Sequence, residues 1–328
     1  MLNFDNRRTV NCWKLAQELE DGTYKKRAPI RFDISERGKL RHISAVSFRD
    51  RVVQRALCDN SLVPIVESQL IYDNAASLPK RGTSFARKRF ELHYKRALGK
   101  WEHPYVVIFD CSNYFGSISS QRAFDMISTL YRTIARTERE KQDVERILAV
   151  LKIFVLDEPH LGLGNQTSQT MAIWYLNKVD HWCMSQGFYG RYMDDAYCFC
   201  KNREQAEHVR AGYERRVNQL GLRLNKRKTR IVDCRTGQIP FLKRVYSVQD
   251  DGSILIRMHH KALRAGRRHA RNLIRSYDGV HVGLLTVQDS WTSHESTLLG
   301  LTHRRGLLVR EKAWYRRHCE MRKLAFRP

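Results

Sequence analysis

Phe188-Tyr189-Gly190-Arg191-Tyr192-Met193-Asp194-Asp195-Ala196-Tyr197-Cys198-Phe199-Cys200 decides how this chain is read. Aromatic and apolar residues flank two adjacent aspartates, a residue type depleted from strands and favoured in turns. The stretch therefore predicts a strand, a tight turn and a second strand. A solvated turn is the plain explanation of the aspartate pair. Tyr105-Val106-Val107-Ile108-Phe109-Asp110 shifts the balance, because this β-branched and aromatic run reads as a buried strand that ends on another carboxylate.

Carboxylates brought together at neighbouring strand ends repel unless cations sit between them. Mg²⁺ suits such a place, since it takes carboxylate oxygens and completes its shell with water and substrate phosphates. Two such ions, for which Mn²⁺ is a substitute, can activate a 3′-hydroxyl and stabilise a leaving pyrophosphate. Polymerases and nucleases both need this, so the carboxylates alone do not separate them.

Working outward, the pattern predicts helices at 48–59 and 84–98, then at about 119–136 and 138–154. A further helix over 167–185 opens with Thr167 and Ser168. An exposed helix at 203–219 and strands at 228–233 and 239–248 follow, and from 254 onward the pattern is helical and strongly basic. This is an α+β arrangement, expected as a sheet with helices on one face. With only 7 Pro in 328 residues and no repeat or low-complexity tract, the parts are expected to pack against each other.

Charge points to the partner class. The chain has 59 Lys+Arg against 34 Asp+Glu, a net +25, yet 42% hydrophobic residues are enough for a real core. A folded protein of this balance is expected to meet a polyanion, most often nucleic acid. No apolar run approaches the roughly 18 residues of a membrane span, and Met1–Lys14 lacks a signal-peptide stretch. The 8 cysteines include no CxxC, which argues against a zinc site or disulfide framework and for a reduced, intracellular protein.

Tyr192-Met193-Asp194-Asp195 together with the strand ending at Asp110 resembles the palm of a reverse transcriptase. Five further blocks match that family in order. Lys39–Cys58 resembles the first fingers block of bacterial reverse transcriptases, and Pro79-Lys80-Arg81-Gly82-Thr83 the second. Leu163–Gln169 resembles the template- and nucleotide-contacting block; Leu222–Thr229 and Phe241-Leu242-Lys243 resemble the two blocks after the catalytic hairpin. The resemblance implies a right-hand polymerase architecture. Fingers would occupy 1–104, a palm with antiparallel sheet 105–248 (fingers elements inserted at about 119–165), and a short helical thumb 249–328.

It also implies roles, residue by residue. Asp110 and Asp194 would ligate two Mg²⁺ ions, the backbone carbonyl of Cys111 completing one shell and Asp195 acting as a weaker or outer-sphere partner. Lys39 and Arg41 would clasp the incoming triphosphate; the plainer alternative is two exposed strand-edge cations. Phe115 falls at the sugar gate, Gln169 would pack on the new base pair, and Lys228 would protonate pyrophosphate. Gly164, Asn165, Ser168, Tyr192 and Met193 would contact template or primer, and Phe241-Leu242 would grip the primer, although Lys243 stands where the family has Gly. Arg264, Arg267, Arg268 and Arg271, in a run with no acid between Asp251 and Asp278, would track duplex phosphates.

The Gly164-x-x-x-Ser168-Gln169 form and the Arg51–Gln54 run look most like diversity-generating retroelement enzymes. Antiphage defence-associated reverse transcriptases, some template-independent or protein-primed, are the alternative within the class, and a non-catalytic RNA-binding scaffold the alternative outside it. The implied partners are an RNA template, a DNA primer and product, dNTPs, a dedicated structured RNA, and an accessory protein or a second copy of the chain. The implied setting is the cytoplasm of a bacterium, with the chain encoded there or by a phage.

Overall fold

The computed structural model describes Phe4, residues 6–36 and residues 39–324; of Glu36, Lys39 and Arg41 only the main chain is described. Two compact units divide between Ile231 and Val232. The first begins with helix α1 (Arg8–Glu20) and an antiparallel ribbon, β1 (Ile30–Glu36) with β2 (Lys39–Ala45). Helix α2 (Phe48–Leu57) runs through a π-helical turn at Cys58–Leu62 into α3 (Val63–Gln69). Ser47 caps α2, and buried Asp50 accepts hydrogen bonds from Ser47 Oγ at 2.7 Å, Tyr24 OH at 2.7 Å and the Arg27 N–H at 3.1 Å. A carboxylate in the first turn also suits the positive end of the helix.

The palm-like centre follows: α4 (Thr83–Lys100), β3 (Tyr105–Phe109), α5 (Tyr114–Ser117), α6 (Ser120–Ile134) and α7 (Glu138–Val155). After α8 (Gln166–Tyr175) and α9 (Asn177–Gln186) come β4 (Phe188–Tyr192), β5 (Asp195–Cys200), α10 (Arg203–Gln219) and β6 (Arg230–Asp233). The sheet order is β4-β5-β3-β6, with β3 and β4 both antiparallel to β5. Alternation along β5 sends Tyr197 and Phe199 to one face, where Phe90 of α4 meets both rings at 4.8 and 5.2 Å. Ala196, Cys198 and Cys200 share the core of the other face with Phe109, which stacks on Tyr213 of α10 at 4.0 Å. Helices thus cover both faces, correcting the one-face expectation. The reason is legible in hindsight: β3 and β5 are almost continuously buried, the pattern of a strand with no solvated side.

Three other boundaries differ from the sequence pattern. The helix expected over 167–185 breaks at Leu176, with neither Gly nor Pro to mark it, and the Leu176 carbonyl starts the second segment by accepting from the Asp180 N–H at 2.8 Å. The strand expected over 239–248 is a hairpin, β7 (Ile239–Phe241) and β8 (Arg244–Val248). Helix was expected from 254, but Ile254–Met258 is a strand, β9, paired with β8 across the Asp251-Gly252 turn, where Gly252 has φ 78°.

The second unit contains this β7-β8-β9 sheet and the helices α11 (His260–Arg275), α12 (Leu284–Thr297) and α13 (Arg304–Glu320). Its helices close on Ile274, Val287, Trp291 and Tyr315, and the Tyr315 hydroxyl donates to the Val287 carbonyl at 2.9 Å. Among the described residues no helix is long and apolar enough to cross a membrane.

His93 of α4 is buried beside Tyr197 and Asp73. Burial lowers its pKa to about 4; Asp73 opposes this, while Arg89 and Arg96 add to it. Below the ordinary histidine value of about 6.5 the unfolded chain takes up a proton that the folded chain refuses. Stability is therefore unaffected by His93 above that value and falls as pH drops from about 6.5 toward 4, by up to roughly 3 kcal/mol. Urea unfolding of wild type and His93→Phe across this window should show a shallower acid loss in the variant.

Candidate active site

The sheet register builds the site. Tyr192 pairs with Asp195, leaving Met193 and Asp194 as a two-residue turn, and Phe109 pairs with Ala196, so Asp110 leaves β3 beside that turn. Met193 has φ 58°, at the turn position where glycine is the usual solution. The segment after β3 is tied down from the other side. Asn225 donates its N–H to the Asp110 carbonyl at 2.8 Å, and the Ser112 N–H bonds the Arg223 carbonyl at 2.8 Å.

Asp110 and Asp194 line a single cavity of about 1000 Å³ with Cys111, Phe115, Asn225 and Lys228. Its opposite wall comes from the β1–β2 ribbon, through Leu40, His42 and Ser44, and from residues 158–163. Two features hold that wall. Arg31 pairs with Glu158 at 2.7 Å, and Ser44 N–H bonds the Leu163 carbonyl at 3.4 Å. Gly164 follows with φ 106°, a conformation that favours glycine, and a Cβ there would make a tight contact, 3.3 Å from the Ser44 carbonyl oxygen.

The electrostatics are those of crowded carboxylates. Burial, then the negative charges of Asp194 and Asp110, push the Asp195 carboxyl up to about 7, with Lys228 pulling the other way. Lys228 Nζ lies 2.6 Å from Asp110 Oδ2. Burial would lower the Lys228 pKa, but its bond to Asp110 and the charges of the three aspartates raise it. The Cys111 thiol is pushed up to about 12, first by burial and then by Asp194. Among the described residues no group of three or more His, Cys, Asp or Glu is gathered to hold a metal. Two all-oxygen carboxylates facing one cavity do fit Mg²⁺, which keeps several waters and needs only one or two protein ligands.

The other expected residues are distributed as follows. Ser168 and Asn165 are buried around the start of α8, and exposed Gln169 accepts a hydrogen bond from Ser77 Oγ at 3.3 Å. None of the three lines the cavity. Tyr192 packs partly buried against the main core. Lys39 and Arg41 lie on β2, and their side chains fall outside the described residues.

Residues 24–243 match the family model "Reverse transcriptase (RNA-dependent DNA polymerase)". The chain belongs to the reverse transcriptase family. No curated protein matches it. Among solved structures it is similar to telomerase from Candida albicans, solved with a TWJ fragment of telomeric RNA, with a TM-score of 0.53 and 14% identity. The match covers 86% of this chain but 55% of the telomerase chain, so this reverse transcriptase spans about half of that protein's length. At that identity the likeness shows the fold, a right-hand polymerase with mixed helices and antiparallel sheet.

Sequence reasoning missed two side chains that organise the site. Arg191 and Asp180 are both fully buried and paired with each other. The available signal was a charged residue inside an otherwise apolar strand, a placement that demands a partner.

In the second unit the expected phosphate contacts divide. Arg264, Arg268 and Arg271 are exposed on α11. Arg267 instead bonds buried Glu311, with Nε 3.1 Å from Oε2, and His294 Nε2 lies 3.0 Å from the same oxygen. Its guanidinium is committed to holding α11, α12 and α13 together, because a buried carboxylate needs compensation. Phe241 is buried, and Leu242 and Lys243 form the β7–β8 turn with φ 44° and 67°. Both residues occupy the left-handed region that the family's Gly suits at the second position. Left-handed backbone costs a side-chain-bearing residue about 1–2 kcal/mol, against about 0.5–1 kcal/mol of entropy lost by glycine. Lys243→Gly should therefore stabilise the second unit by about 0.5–1 kcal/mol, read as a raised thermal midpoint.

Proposed function

We propose that this chain is an RNA-directed DNA polymerase that extends a primer with deoxynucleotides on an RNA template. The observation that carries the proposal is the shared cavity of Asp110 and Asp194, placed at the ends of adjacent strands with Lys228 and Phe115 on the same wall. Residues 1–104 act as fingers, 105–248 as palm and 249–328 as a basic thumb. Asp110 and Asp194 would hold Mg²⁺, aided by the Cys111 carbonyl and by Asp195 as an outer partner. When bound, the metal supplies Lewis-acid activation of the primer hydroxyl and neutralises phosphate charge.

In the reaction, the primer 3′-hydroxyl gives up its proton to solvent, and its oxygen forms a bond to the α-phosphorus of the dNTP as the bond to pyrophosphate breaks. Lys228, kept protonated by its carboxylate neighbours, gives its proton to the leaving pyrophosphate and recovers one from solvent. The Phe115 ring, lining the cavity next to Asp110, fills the space a 2′-hydroxyl would need. Lys39 and Arg41 would clasp the incoming triphosphate, and Gln169 would pack on the new pair. Gly164, Asn165, Ser168, Tyr192, Met193, Phe241 and Leu242 guide template and primer, and exposed Arg264, Arg268 and Arg271 track duplex phosphates.

Ser168-Gln169 supports a diversity-generating retroelement type, acting in a bacterial cytoplasm on a dedicated structured RNA with an accessory protein or a second copy. Sequencing nucleic acid that co-purifies with the protein tests this: one enriched RNA is expected, and random cellular RNA would count against it.

Primer extension on RNA with dNTPs and Mg²⁺ should proceed for wild type and be abolished by Asp194→Asn. Incorporation unchanged by that substitution would reject the site, and none by wild type on any primed template would favour an RNA-binding scaffold. Phe115→Ala should raise ribonucleotide use relative to deoxynucleotide by about tenfold or more, measured as the ratio of kcat/KM values.

A further inference from the structure

We propose that Arg191 and Asp180 are positioning residues of this polymerase, a buried pair that sets the catalytic turn through the Met193 carbonyl and joins it to the helices before it. The proposal rests on the reading of Asp110 and Asp194 as the metal ligands.

Arg191 sits on β4, two positions before Met193, with its side chain wholly enclosed. Its fork is used in three directions. Nε and Nη2 bond the two oxygens of Asp180 on α9, at 2.8 and 2.5 Å. Nη2 also donates to the Ile173 carbonyl of α8 at 2.6 Å, and Nη1 to the Met193 carbonyl at 2.9 Å. Tyr189 OH donates to Asp180 Oδ1 at 2.7 Å, and Asn74 Nδ2 stands 3.5 Å from Oδ2.

The bond to Met193 is the functional one. The peptide unit is planar, so fixing the Met193 carbonyl fixes the plane that carries the Asp194 nitrogen. It does so at a residue held in the left-handed region, φ 58°, which an unsupported turn would leave. The Ile173 bond ties the same guanidinium to α8, the helix that carries Ser168 and Gln169, and so links that block of sequence to the catalytic turn. A buried ion pair is a poor source of stability compared with apolar residues of the same size. Placement of the turn is what it supplies.

Arg191→Lys keeps the charge and loses the planar fork, so it cannot reach all three partners. Mn²⁺ binding to the protein alone, followed by electron paramagnetic resonance, should weaken about tenfold. The Mg²⁺ concentration for half-maximal extension should rise in step and kcat should fall, while KM for primer–template holds. A purely structural pair would lower the thermal midpoint but leave Mn²⁺ affinity per folded molecule unchanged, and that result overturns the proposal. Should Arg191→Lys fail to fold, Tyr189→Phe removes only one hydrogen bond to Asp180; a smaller weakening of Mn²⁺ binding supports the proposal and none overturns it. Asp194→Asn run alongside separates the two readings, because unchanged Mn²⁺ binding in that variant removes the ligand assignment itself.

Discussion

Mutual repulsion among Asp110, Asp194 and Asp195 is the constraint around which the first unit is organised. Three carboxylates at the ends of neighbouring strands oppose their own approach: burial first, and then the charges of Asp194 and Asp110, push the Asp195 carboxyl up to about 7. They stay together because the backbone beneath them is over-determined. β3 and β5 are buried on both faces, the Asp110 carbonyl is held by Asn225, and the turn at Met193 is held by Arg191. Lys228 supplies the local positive charge, and a hard divalent cation is the natural further compensation.

Exposed arginines line α11, and the ribbon and the 158–163 segment close the far wall of the cavity through Arg31–Glu158. Basic residues are not uniformly free, however. Arg267 neutralises Glu311 within the second unit, and Arg191 neutralises Asp180 within the first. A net charge of +25 therefore overstates the surface available to a polyanion, since some of it serves the interior.

Much of the candidate site was legible in the sequence. The hairpin at Tyr192–Asp195, the strand ending on Asp110, and the helices at 120–134, 138–155 and 203–219 all lie within a few residues of where pattern places them. Local signals account for this: β-branched runs, turn-forming aspartates and helical periodicity act over a handful of residues. Where signals were weak or shared, pattern failed. The break at Leu176 has no Gly or Pro, the turn at Leu242-Lys243 has no glycine, and Ile254–Met258 is too short for its period to separate strand from helix.

By itself the sequence determined the chemistry that can occur: which carboxylates, which lysine, which aromatic, and the family they resemble. The tertiary structure decided which of these share a cavity, that helices cover both faces of the sheet, and that Arg191 and Asp180 belong together. Such facts depend on contacts between residues far apart in the chain, such as the Lys228–Asp110 bond and the Arg191–Asp73 main-chain link beside the turn. No local propensity encodes them. They follow from closing a packed core in which every buried charge must find its partner.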